Sequence, residues 1–323
     1  MEINENLTKE IEEEETQRAI WMLQPDKAPG PDGFPICFNI TYWGIIKKDL
    51  VKMIKWAQRN SKIKGFTNAT HLSLLPKENQ PSHFSRFRPI SLCNSSYKIL
   101  TKILASRLKP LLPSLISENE GSFLANRQIF YSILLVQEAI HSSQTRKEKG
   151  FILKLDLSNA FDRVRHSLLF FVLKKMGFVV PFIDLVKACI SGPWISPLIN
   201  GRPGTSFQSS RGLRQGCPLS PYLFILMVES FSKALDYNRC ISLITGIKFG
   251  NGVKNINHSQ FFDDTLLMGG ASNIIVRRFK TLLDKYMSYS RGMVNYLKSY
   301  IYGWNTSAQT LHNITAHLGS LAS

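Results

Sequence analysis

Apolar positions recur along the chain with two different periods, and the period identifies the element. Tyr97, Leu100, Ile103, Leu104, Leu108 and Leu111 stand at helical spacing, as do Ile129, Ile133, Val136 and Ile140. The spacing predicts two helices, each turning that face to a core. A longer stripe, Leu219, Tyr222, Leu223, Leu226, Met227, Phe231, Ala234 and Leu235, predicts another, and helices are also expected over 167–176 and 275–286. Between Phe151 and Leu157 the period drops to two. Phe151, Leu153, Leu155 and Leu157 fall on one side, and Ile152, Lys154 and Asp156 on the other. That is a strand delivering one carboxylate at its C-terminal end. A further strand is expected near Leu72–Leu75. The turn residues Asn200-Gly201-Arg202-Pro203-Gly204 mark a hairpin. Phe261-Phe262-Asp263-Asp264-Thr265-Leu266-Leu267 reads as two apolar arms with two acids at the tip. Residues 1–65 read as helical around a hinge at 25–33, where Pro, Asp and Gly are dense enough to force turns. This order of elements implies a mixed α/β (α+β) sandwich with helices packed on one sheet face.

With 323 residues, 44% of them hydrophobic, the chain can form two or three domains, each with its own core. Charge changes the picture more. Forty Lys and Arg against 23 Asp and Glu give a net charge of +17, which points to a polyanionic partner, nucleic acid foremost. A basic protein without such a partner is the alternative that composition leaves open. Glu10 and the run Glu12 to Glu15 suit a solvated helix start, where carboxylates oppose the positive dipole end, better than a metal site. Cys37, Cys93, Cys189, Cys217 and Cys240 show no C-x-x-C spacing, which argues against a zinc ribbon or disulfide framework and for a reducing compartment. No signal peptide stands at the N-terminus, and no apolar run approaches the ~18 residues that span a membrane. A soluble intracellular protein is expected, with nucleus or cytoplasm and the oligomeric state left open.

The aspartate pair carries the chemistry. Charges at the end of a buried hairpin cost several kcal/mol unless a cation or donor compensates them. Mg²⁺ does so well, because it prefers hard carboxylate oxygens and also binds substrate phosphates. Asp156 ends another expected strand 107 residues before Asp263 (263 − 156). Three acids on neighbouring strand ends can hold two metals about 4 Å apart, the arrangement for in-line phosphoryl transfer. Taken alone, an Asp-Asp pair reads as a solvated turn; the surrounding segments change that.

Those segments are, in order, KAPGPDGF at 27–34, FRPISLCNSSYKILTKILASRLKP at 87–110, ILLVQEAIHS at 133–142 and KLDLSNAFDRV at 154–164. They continue with INGRPG at 199–204, RGLRQGCPLSPYLFIL at 211–226, FFDDTLL at 261–267 and NYLKS at 295–299. From about residue 20 to residue 300 the chain resembles the reverse transcriptases of non-LTR (long interspersed element) retrotransposons, especially those abundant in plants. The resemblance implies a right-hand polymerase fold. Residues 1–65 would form an N-terminal helical extension with the KAPGPDG loop, 66–150 the fingers and 151–300 the palm with its catalytic aspartates. Residues 301–323 would be a truncated tail, with the thumb largely missing, in a fragment of a larger polyprotein.

The implied activity is RNA-directed DNA polymerisation: nucleotidyl transfer from a dNTP to a DNA primer on an RNA template, with two Mg²⁺ ions or Mn²⁺ in their place. Asp156, Asp263 and Asp264 match the metal-binding aspartates of the family. Phe161 matches the aromatic under the incoming sugar, whose bulk disfavours a ribose 2′-hydroxyl. Gln215 matches a residue lining the nucleotide pocket, Arg88 and Lys77 fingers residues that meet the triphosphate, and Lys298 a lysine proposed to protonate pyrophosphate. Without the resemblance, Phe161 reads as simple core and Lys77 equally as a solvated charge. The chain departs from the family pattern at Cys217, where an acid is usual, and at Phe262 beside the aspartates. Tyr131 and Ser132 replace Asp and Asn, and Arg291 stands in a glycine position. Such changes suit a decaying copy. Two other readings therefore stay open: an inactive remnant that binds nucleic acid through its basic surface, and an intron-type maturase that helps RNA fold.

Overall fold

The computed structural model describes residues 2–122, 124, 127–248 and 255–318; the end of the expected tail, 319–323, lies outside them. In chain order the elements begin with the helices α1 (Glu2–Thr8), α2 (Glu13–Trp21), α3 (Ile36–Thr41) and α4 (Trp43–Asn60) and the strands β1 (Thr70–Pro76) and β2 (Phe87–Cys93). Next come α5 (Ser95–Leu108), α6 (Leu112–Leu115), α7 (Ile129–Thr145), β3 (Gly150–Asp156), α8 (Ala160–Arg163), α9 (His166–Lys175) and α10 (Val180–Ile190). Then follow β4 (Trp194–Ile199), β5 (Arg202–Pro203), β6 (Phe207–Gln208), α11 (Ser220–Cys240), β7 (His258–Phe261), β8 (Asp264–Gly270), α12 (Asn273–Ser290), β9 (Tyr300–Trp304) and α13 (Ala308–Leu318). Their contacts divide the chain into two compact units, each built from two stretches: 1–111 with 166–224, and 112–165 with 225–323.

In the first unit, β2 returns antiparallel on β1, from Thr70 opposite Cys93 to Pro76 opposite Phe87, and β4 lies parallel to β1 on its other side. Strand β2, which the apolar pattern does not announce, is an edge strand and so tolerates Pro89. Asn200 and Gly201 both take positive φ, 51° and 77°, in the two-residue turn between β4 and β5 that the Asn-Gly pair predicts. The acidic start of α2 is not simply solvated. Glu15 accepts a two-pronged pair from Arg107 of α5 at 2.7 and 2.6 Å, and Glu13 and Glu12 meet Lys47 and Lys55 of α4. The KAPGPDG loop is fastened to the start of α5. Asp32 N donates to Asn94 Oδ1 at 3.0 Å, Lys98 Nζ donates to Ala28 O at 2.9 Å, and a Cβ on Gly30 would fall 2.4 Å from Asn94 N.

The second unit holds the antiparallel sheet β7-β8-β3-β9. Its period-two pattern separates two faces as expected. Phe151, Leu153 and Leu155, with Leu267 and Ile301, bury against Phe231 of α11, Phe279 of α12 and Ile314 of α13. The opposite face carries Ile152, Lys154 and Asp156. At its Gly150 end, Ile152, Met268 and Trp304 are covered by Val136 and Ala139 of α7. Gly150 permits this approach, since a Cβ there would lie 2.1 Å from the Trp304 ring. Helices therefore pack on both faces, not on one. The expected core stripe of α7 is correspondingly half realised: Val136 is buried, whereas Ile129 and Ile133 are exposed, because only the later turns of the helix reach the sheet. Among the described residues no helix is long and apolar enough to cross a membrane.

Candidate active site

At the Asp156 end the second face of the sheet is open. Phe261 pairs with Asp264, which leaves Phe262 and Asp263 as a two-residue turn. Asp264 opens β8 directly opposite Asp156, the last residue of β3. Cross-strand partners share a face, so Asp156 and Asp264 lie side by side with Asp263 at the adjoining tip. All three are half-buried. Phe262 takes φ +63°, a left-handed conformation that costs a bulky residue of order 1–2 kcal/mol. Its N–H lies outside the β7–β8 ladder and instead approaches Ser122 Oγ at 3.2 Å and Glu120 Oε1 at 3.4 Å. Phe161 of α8, 9% exposed, packs its ring on that of Phe262 with centroids 5.0 Å apart.

Several side chains hold the acids. Asn295 Nδ2 donates to Asp156 Oδ2 at 2.9 Å, and Asn295 N to Asp156 O at 2.8 Å. The buried Ser299 hydroxyl accepts from Asp156 N at 3.1 Å and donates to Asn295 O at 2.8 Å. Asn295 and Ser299 flank the tight turn Tyr296–Lys298, so exposed Lys298 rides on a segment bonded to the Asp156 strand. Lys154, two residues before Asp156 on the same face, places Nζ 3.3 Å from Asp264 Oδ1, with both side chains 46% exposed. Lys154, Asn295 and Ser299 fall within the segments KLDLSNAFDRV and NYLKS, whose pattern assigns them no role. Glu120 and Ser122 carry no local signal at all.

The second unit thus brings together Asp156, Asp263, Asp264 and Phe161, with Lys298 on a turn bonded to the Asp156 strand. The other three expected site residues belong to the first unit. Lys77 and Arg88 lie exposed on β2 or at the β1–β2 loop, where Lys77 N donates to Arg86 O at 2.8 Å. Gln215 O accepts from Ser91 N of β2 at 2.7 Å, and Gly216, at φ +108°, passes so close that a Cβ would meet Ser91 O at 2.9 Å. The segment is anchored by buried Arg214, which donates to Asn68 Oδ1 at 2.6 Å and Thr70 Oγ1 at 2.9 Å and stacks on Tyr97 at 3.8 Å. Arg88 and Gln215 therefore share strand β2 as a support.

Among the described residues, no three acidic, histidine or cysteine side chains already converge on one point. The donor set nonetheless suits a hard divalent cation: three carboxylates at opposed and adjacent positions, with the Lys154 ammonium as the counter-charge on Asp264.

Residues 75–311, well over half of the chain, match the family model described as reverse transcriptase (RNA-dependent DNA polymerase). The chain is 28% identical over 296 residues to the "Transposon TX1 uncharacterized 149 kDa protein" of Xenopus laevis, covering 91% of this chain and 22% of that protein. It is 26% identical over 263 residues to the "Retrovirus-related Pol polyprotein from type-2 retrotransposable element R2DM" of Drosophila melanogaster, covering 81% and 23%. An uncharacterized mitochondrial protein of Arabidopsis thaliana is 47% identical over 68 residues, 21% of this chain and 56% of that one. The chain spans about a fifth of the length of the first two relatives.

Proposed function

Because the chain belongs to the reverse transcriptase (RNA-dependent DNA polymerase) family, we propose that its aspartate hairpin is a nucleotidyl-transfer site that extends a DNA primer on an RNA template, within a larger retrotransposon-encoded protein. The observation that carries this reading is the register of β3 and β8, which sets Asp156 opposite Asp264 and next to Asp263 on an open sheet face. In that reading residues 66–150 supply the fingers and 151–300 the palm, behind an N-terminal extension of 1–65. An affinity with the elements of plants belongs to the same proposal.

Asp156, Asp263 and Asp264 would hold two divalent cations, Mg²⁺ or Mn²⁺, whose chemistry at such a site is to activate the primer 3′-hydroxyl and to balance charge on the leaving pyrophosphate. The chain's own residues do the rest. Asn295 orients the Asp156 carboxylate through one oxygen and leaves the other for ligation. Phe161, wedged against Phe262, offers a rigid apolar wall where a sugar 2′-hydroxyl would clash. Gln215 donates and accepts hydrogen bonds at the nucleotide, Arg88 and Lys77 bind its triphosphate, and Lys298 supplies a proton donor for pyrophosphate. A net charge of +17 favours retention of primer and template through their phosphates.

A second reading, a remnant that binds nucleic acid without catalysis, is favoured by one observation: bulky, strained Phe262 beside the acids. Single-nucleotide extension of a DNA primer on an RNA template, with Mg²⁺ or Mn²⁺, separates the two. Incorporation by the wild type and none by the Asp263→Asn, Asp264→Asn double variant is the expected result. No incorporation by folded, template-bound wild type would leave the remnant.

A further inference from the structure

Glu120 lies 1% exposed beneath the hairpin, where the pairing of β7 with β8 requires no acid. Residues 119–121 run alongside β7: Gln260 N donates to Asn119 O at 2.7 Å and Gly121 N to Gln260 O at 3.0 Å. Arg127 fastens the same loop by donating to Glu120 O at 2.8 Å and Ile116 O at 3.1 Å. The Glu120 carboxylate spends one oxygen on the tip of the site. Oε1 accepts from Ser122 N at 2.8 Å and Ser122 Oγ at 2.5 Å, and both Oε1 and Ser122 Oγ face the Phe262 N–H. Among the described residues no partner meets the buried Oε2, nor either polar atom of the neighbouring Gln260 amide. A buried acid with a spare oxygen costs the fold several kcal/mol, so stability does not explain it.

Geometry offers another account. In a two-residue hairpin the first turn residue cannot give its N–H to the ladder, and here that residue also holds φ +63°. An acceptor at this N–H is what keeps the turn in one conformation, and the turn in turn aims Asp263 and Asp264. We propose that Glu120, acting with Ser122, is a positioning residue that fixes the aspartate hairpin and thereby sets the affinity of the site for divalent metal. The inference rests on the reading of the three aspartates as metal ligands.

The test measures Mn²⁺ binding to the full chain by electron paramagnetic resonance, beside the Mn²⁺ dependence of single-nucleotide extension. Glu120→Ala should raise the Mn²⁺ concentration for half-saturation by about tenfold, the low end of what removing the support of a metal ligand does. Glu120→Gln keeps an acceptor oxygen and should stay within about twofold of wild type; Ser122→Ala, a milder change that leaves Glu120 in place, should fall between. Binding of the primer–template duplex should be unchanged in all three. Unchanged Mn²⁺ affinity in Glu120→Ala and Ser122→Ala overturns the inference, and so does a Glu120→Gln variant as weak as Glu120→Ala. If wild type binds Mn²⁺ no better than the Asp263→Asn, Asp264→Asn variant, the reading of the aspartates fails first and takes this inference with it.

Discussion

Arg291 closes α12 with φ 59° and ψ 21°, in the left-handed region, although Gly292 stands one position later. Replacing it with glycine should stabilise the second unit, and the size of the effect follows from the backbone. A side chain in that region costs roughly 1–2 kcal/mol, whereas glycine enters it freely. Glycine's greater freedom in the unfolded chain takes back about 0.5–1 kcal/mol. The net gain for Arg291→Gly, at the centre of these ranges, is about 0.75 kcal/mol, and the exposed guanidinium contributes little to offset it. For a unit of this size that is about 1–4 °C in thermal midpoint. Arg291→Ala removes the same charge but keeps the left-handed Cβ, so it should gain nothing. Thermal unfolding of the three proteins, followed by circular dichroism, decides the matter. If the alanine variant rises as much as the glycine variant, the guanidinium was the burden and the backbone argument is wrong. Primer extension by Arg291→Gly should match wild type, because the Asn295 and Ser299 contacts to Asp156 lie beyond the cap.

Three further outcomes follow from buried groups. Arg214→Lys loses the fork onto Asn68 and the stack on Tyr97, and should destabilise the first unit by about 3 kcal/mol, read as a lower urea midpoint with unchanged slope. Burial holds the carboxyls of Glu120 and Glu229 above their ordinary value of 4.5. The folded protein thus keeps protons that the unfolded chain gives up, and stability should fall as pH rises above 4.5 toward neutrality; Glu229→Gln, retaining its bond to Ser117, should flatten that slope. A thiol reagent should modify Cys37 and Cys240 quickly in the native protein and reach Cys93, Cys189 and Cys217 only on unfolding. Burial also pushes the Cys93 and Cys189 thiols up, away from the reactive thiolate; rapid labelling of all five would contradict the packing around Arg214.

What the sequence revealed of this fold was what neighbours in the chain decide. The alternation from Phe151 to Leu157 specified both the strand and the face of Asp156, and the apolar arms of 261–267 specified a hairpin with acids at its tip. Asn200-Gly201 specified its turn through the positive φ that both residues accept. Elements whose signal is tertiary stayed hidden. Edge strand β2 contains a proline and alternates poorly, so only pairing with β1 defines it. The apolar stripe of α7 could not say how much of its length a sheet would cover. Glu120 and Ser122 meet Phe262 across 142 and 140 residues, and Asn295 meets Asp156 across 139, distances at which no local pattern speaks. The two units, each assembled from separate stretches, are invisible for the same reason.

The departures from the family pattern differ in how the structure receives them, and the difference bears on whether this is a working enzyme. Cys217 is buried with its sulfur 3.6 Å from the Tyr97 hydroxyl, and a small polarisable group is at ease there. Phe262 is strained, yet its N–H has acceptors and its ring has Phe161. Arg291 alone sits in an unfavourable backbone state at an exposed site. Polar networks are a sharper gauge of decay than apolar ones, because one lost member strands its partners at about 1–3 kcal/mol each. Around Asp156 the network joins Asn295 and Ser299, and at the hairpin tip Glu120 and Ser122 join at the Phe262 N–H. Loss of any one of these four side chains would therefore be felt at the aspartates, which makes the Mn²⁺ affinity of the wild type more informative about decay than any count of altered motif positions.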